Sequence, residues 1–92
     1  HNVGVGHHAL GLNTTGAGNV AVGINAGDAQ TTASNNVAVG YGALGAATTG
    51  ASNVAVGKDA GDAITTGAGN TLVGLDSLRY SLTAEPNPPM TE

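Results

Sequence analysis

The sequence predicts an all-β fold, a parallel β-solenoid of 17-residue coils, on three observations. The pentapeptide Asn-Val-Ala-Val-Gly occurs at 19–23, 36–40 and 53–57, a constant interval of 17. Within it a valine stands on either side of one alanine, the period-two pattern of a strand. Glycine makes up 16 of the 92 residues, a density that no helix tolerates. Drift in a low-complexity tract would add and drop residues. Here Asn2, Asn19, Asn36, Asn53 and Asn70 align the chain without a gap, so each residue has a fixed place in a stack.

The elements of one coil follow in order. Asn opens each strand, where it suits a tight corner, tolerates left-handed backbone and can hydrogen-bond its stacked copy. A strand of about five residues comes next, with Val20, Val22, Val37, Val39, Val54 and Val56 expected inside and the intervening alanines outside. On that reading the small column Gly4, Ala21, Ala38 and Ala55, ending in Leu72, lets another backbone approach closely. Gly6, Gly23, Gly40, Gly57 and Gly74 end the strands, where a positive φ is expected. Ala9, Ala26, Ala43, Ala60 and Ser77 follow, and threonine pairs from Thr14-Thr15 to Thr65-Thr66 close the units as a turn or second short strand.

Alternate coils differ. Residues 9–11 and 43–45 read Ala-Leu-Gly, whereas 26–28 and 60–62 read Ala-Gly-Asp. Asp28 and Asp62 thereby sit two coils apart, which avoids a continuous column of negative charge. The fifth unit departs from the pattern with Leu75, Leu78, Tyr80 and Leu82, which read as a cap. Pro86, Pro88 and Pro89 then make a stiff exit. The expected organisation is a five-coil solenoid over 1–80 and a Pro-rich linker over 81–92, with a further domain beyond Glu92. The opening His-Asn-Val, without an initiator Met or signal peptide, reads as a fragment or processed product.

Composition narrows function. Lys58 and Arg79 face Asp28, Asp59, Asp62, Asp76, Glu85 and Glu92, for a net charge of −4. Two basic residues cannot track a phosphate backbone, so no nucleic-acid partner is expected. The absence of Cys removes disulfides and thiolate zinc sites. No apolar run reaches the ~20 residues that span a bilayer, so no membrane insertion is expected. With Tyr41 and Tyr80 as the only aromatics, one roll buries little, and a coil alone cannot offset its ordering entropy. Partner chains are therefore expected, and an isolated chain should be marginal or unfolded.

The unit Asn-x-Ala-Val-Gly-x-x-Ala-Leu-x-x-x-Thr-Thr-Gly-x-x, best seen at 36–52, is similar to repeats of phage tail-fibre proteins. It also resembles the head repeats of YadA-like trimeric autotransporter adhesins, whose units are usually shorter. The likeness covers residues 2–80. It implies a left-handed β-roll, three parallel chains in a homotrimeric fibre, and attachment to a host or surface from a virion or cell surface. A host-surface receptor or glycan would be the outside partner. Two other readings are a self-assembling filament subunit and an ice- or surface-binding solenoid.

Other motifs lose to the repeat. Gly40, Gly42 and Gly45 match a dinucleotide-binding pattern, but the following Ala-Ala-Thr-Thr-Gly cannot hold the helix that would aim amides at a pyrophosphate. His7 and His8, with His1, could ligate a metal only across a trimer axis, since neighbours on a strand point to opposite faces. Exposed loop histidines are the plainer reading. Each threonine pair leaves one outward column, where a flat ice-binding array would need two. Asn13-Thr14-Thr15 is a formal glycosylation acceptor of the kind chance supplies. No Ser/His/Asp set recurs and no calcium-binding nonapeptide is present, so no enzyme, catalytic residue, metal or cofactor is expected.

Overall fold

The structure, a computed structural model, describes residues 1–77. The expected cap residues Leu78, Tyr80 and Leu82 and the linker 81–92 lie outside the described residues. Five strands follow in chain order: β1 (Val3–Val5), β2 (Val20–Val22), β3 (Val37–Val39), β4 (Val54–Val56) and β5 (Thr71–Val73). They form one parallel sheet in the order β1-β2-β3-β4-β5. Val3 pairs with Val20, Val20 with Val37, Val37 with Val54 and Val54 with Thr71, so the register is the sequence repeat itself. The chain is an all-β parallel solenoid with principal extents of 30 × 19 × 16 Å.

The strands are three residues long rather than about five. The exit glycines cut them short by turning the backbone at φ 127–134°. At this column glycine is required twice over: a Cβ on Gly23 would also lie 2.7 Å from the Gly40 carbonyl oxygen. Hydrogen bonding between coils nevertheless continues past the bend. The Gly23 N–H donates to Val5 O at 2.8 Å, and the Asn25 N–H to His7 O at 2.9 Å.

The strand faces are the reverse of the expectation. Ala21, Ala38, Ala55 and Leu72 are fully buried, while the flanking valines are half-buried or exposed. Asparagine sets this parity. Asn19, Asn36, Asn53 and Asn70 point inward and are no more than 1% exposed. Residues two apart on a strand share a face, so inward Asn carries inward Ala with it. Asn19, Asn36 and Asn53 span the narrow interior. Asn36 Nδ2 donates to Gly50 O on the opposite limb of its own coil at 2.8 Å, and its Oδ1 accepts the Asn53 N–H at 2.7 Å. Asn19 and Asn53 make the same pair of bonds, to Ala33 O and the Asn36 N–H, and to Gly67 O and the Asn70 N–H. The left-handed corner residue is the one before each Asn, at Gly18, Asn35, Ser52 and Gly69, not the Asn itself.

After the strand, staggered reverse turns use alternate amides. In the second coil the N–H groups of Ala26, Asp28 and Gln30 donate to Gly23, Asn25 and Gly27 within the coil. The intervening N–H groups of Asn25 and Gly27 reach the neighbouring coils at His7 O and Ala43 O. Left-handed φ at Asn25 and Gly27 makes this alternation possible. The limb then closes through the first threonine of each pair. Thr14, Thr31 and Thr48 donate both N–H and hydroxyl to the carbonyl of the threonine one coil on. Among the described residues no strand forms there; the segment is a bend held by bonds between coils. Ala26, Ala43, Leu44, Ala47, Ala60 and Ile64 complete the interior.

Candidate interaction surface

Because alanine and asparagine take the interior, the sheet presents its valines to solvent. The first column is Val3, Val20, Val37 and Val54 with Thr71. The second is Val5, Val22, Val39, Val56 and Val73. Val3, Val5, Val22, Val56 and Val73 are exposed, at 36–56%, while Val20, Val37, Val39 and Val54 are half-buried. Two residues beyond the second column lies an exit column of His7, Ile24, Tyr41, Lys58 and Leu75, all exposed. Three of its members, Ile24, Tyr41 and Leu75, extend the apolar face.

The dimensions of this face follow from strand geometry. Four residue steps across and four coil intervals along give about 13 by 19 Å, or roughly 250 Å² between backbone positions at ~3.3 Å per residue and ~4.8 Å per strand. Among the described residues, formal charge enters it at Lys58, on the exit edge. Lys58 Nζ lies 3.0 Å from Asp59 Oδ2 and 5.7 Å from the Tyr41 ring centroid, so the cation lies over an exposed aromatic. The Lys58 side chain is 57% exposed, which makes that ion pair a weak contributor to stability.

His7 and His8 are exposed and fall in the turn after β1, not on the strand. The left-handed φ of 62° at His8 brings the two rings edge to face with centroids 4.0 Å apart, rather than to opposite faces. Among the described residues no group of three or more His, Asp or Glu is arranged to hold a metal ion. Gly40, Gly42 and Gly45 occupy the strand exit and the reverse turns, with no helix behind them. The second threonines, Thr15, Thr32, Thr49 and Thr66, form one exposed column, while hydroxyls of the first are turned toward carbonyls. Asp28 and Asp62 lie over Gly11 and Gly45 of the preceding coils. No helix among the described residues is long and apolar enough to cross a membrane.

No protein-family model, curated protein or solved structure matches the chain. The valine face is the feature that reading from sequence missed. Its signal was present: Asn and Ala share parity within each Asn-Val-Ala-Val-Gly unit, and uniform small residues suit a narrow interior as well as a contact surface.

Proposed function

We propose that the chain is a structural, surface-facing segment of an extracellular fibre that mediates attachment, and that three copies associate side by side through their valine faces. The carrying observation is the exposed apolar sheet. The largest contiguous apolar patch on a soluble protein, typically a few hundred Å², is often a functional contact surface. Among the described residues, Lys58 is the one member of the two valine columns and the exit column that is Lys, Arg, Asp or Glu, and it is paired with Asp59 at the border. A footprint of roughly 250 Å² falls short of the ~800 Å² per partner of a stable two-body interface. A closed arrangement, in which each chain touches two neighbours, recovers contact that a pair would not. The sequence resemblance to tail-fibre and adhesin repeats favours three-fold closure with parallel chains.

The Ala column has no part in this association, because it fills the solenoid interior. The fibre role needs no catalytic group or cofactor, and a net charge of −4 suits neither nucleic acid nor an anionic membrane surface. Cysteine cross-linking tests the reading directly, because the chain has no native Cys. Val39→Cys should form disulfide-linked dimers readily under mild oxidation, and Thr49→Cys, on the exposed threonine column, should not. Equal cross-linking at the two positions, or none at Val39→Cys, would overturn it.

A further inference from the structure

The alternation of Ala-Leu-Gly and Ala-Gly-Asp coils has a structural cause. In one column stand Leu10, Gly27, Leu44 and Gly61, and all four adopt left-handed φ, between 52° and 66°. Leucine tolerates the conformation here, so backbone freedom is not why glycine alternates with it. Space is the reason. A Cβ on Gly27 would lie 3.2 Å from Leu10 Cδ2, and one on Gly61 only 2.9 Å from both Leu44 Cδ2 and Leu72 Cδ1. Each leucine leans over the glycine of the next coil.

Two further columns alternate in step. Asn13, Gln30, Ala47 and Ile64 put their bulkier members in the glycine coils. Ile64 Cδ1 and Gln30 Nε2 come within 3.5 and 2.8 Å of where a Cβ would stand on Gly61 and Gly27. Gln30, Leu44 and Ile64 are all within 1% of full burial. Each central coil thus supplies one large interior side chain, from the turn in the leucine coils and from the opposite limb in the glycine coils. In the third column a Cβ on Gly11 or Gly45 would lie 3.2 or 3.4 Å from the Asp28 or Asp62 carboxylate of the next coil.

We infer that the true stacking module is a pair of coils, 34 residues long, and that its alternation is a register lock: a coil seats only on a coil of the opposite type. Such a lock answers a hazard of this sequence. β2, β3 and β4 are the same Val-Ala-Val, and the asparagine braces repeat without change. Strand pairing and braces alone would therefore accept a coil stacked out of order, whether skipped within one chain or borrowed from a second copy. The interior rejects it. Seating the Leu10 coil on the Leu44 coil brings two leucines to one space, and seating Gly27 on Gly61 leaves a void the size of a leucine side chain. Close-packed interiors tolerate neither.

Two coil permutations test the lock without changing length, composition or any invariant column. Exchanging residues 19–35 with 53–69 swaps two glycine-type coils and preserves the alternation. Exchanging 36–52 with 53–69 swaps unlike coils and places like against like at two junctions. Thermal melting by circular dichroism should leave the first permutant within a few degrees of the parent. The second should melt about 10 °C lower or more, or fail to fold, as expected for cavity and overpacking defects in a domain this small. Equal midpoints would overturn the inference. Failure of both permutants would overturn it as well, because each coil would then be specific to its place rather than to its type.

Discussion

The asparagine brace makes a quantitative prediction. In Asn36→Ala the buried Asn53 N–H loses its acceptor, which now lies at 2.7 Å, and the Gly50 carbonyl loses its donor at 2.8 Å. The interior around Asn36 is closed, at 0% exposure, so water does not replace either bond. Orphaning a buried backbone group costs about 1–3 kcal/mol, so the pair costs about 2–6 kcal/mol. That is a large share of the 5–15 kcal/mol that typically holds a domain together. Asn2 makes the same two bonds, to the Asn19 N–H at 2.8 Å and Gly16 O at 2.9 Å, but it is exposed in the first coil. Removing the exposed Asn2 side chain would open these partners to solvent, so Asn2→Ala should cost about 1 kcal/mol or less. Asn36→Asp refines the argument. A carboxylate keeps the bond from Asn53 but sets a negative oxygen against the Gly50 carbonyl, so this variant should be less destabilised at pH 4 than at pH 7. Urea denaturation followed by circular dichroism at one protein concentration measures all three. Similar small losses for Asn36→Ala and Asn2→Ala would refute the brace as a structural support.

Three further outcomes are expected. Ala38→Asp puts a charge into the interior and should abolish the folded signal at every concentration, whereas Val39→Asp acts at the outer face and should yield to higher protein concentration. The reverse ranking in a dilution series of dichroism spectra would invert the face assignment. Gln30→Ile should stabilise by about 1–2 kcal/mol in chemical denaturation, because it removes a buried, unpartnered Oε1 and copies Ile64 two coils on. Gly40→Ala, at φ 128° and 2.7 Å from Gly57, should cost several kcal/mol in the same assay, and a loss under ~1 kcal/mol would contradict the close stacking of that column.

The repeat length, the strand positions, the parallel stacking and the exit glycines were all legible in the sequence, because each is a periodic signal. The face assignment was not. Val-Ala-Val alternates whichever residue is inside, and the common preference for buried valine points the wrong way when the interior is narrow. Resolving it requires knowing that Asn36 reaches Gly50 across the coil, a contact between positions 14 apart that no local pattern reveals. The second-order alternation was visible as letters, but its reading as charge avoidance was incomplete. The leucine methyls over Gly27 and Gly61 become apparent only once adjacent coils are seen in three dimensions. The apolar surface is the complement of the interior, so it was hidden by the same ambiguity.

The association of chains through the valine face is tested most directly by sedimentation equilibrium of the unmodified 92-residue chain at micromolar concentration. The chain mass is 8.8 kDa, so a three-chain assembly should appear at 3 × 8.8 = 26.4 kDa. A folded species of 8.8 kDa, unchanged on further concentration, would contradict the account.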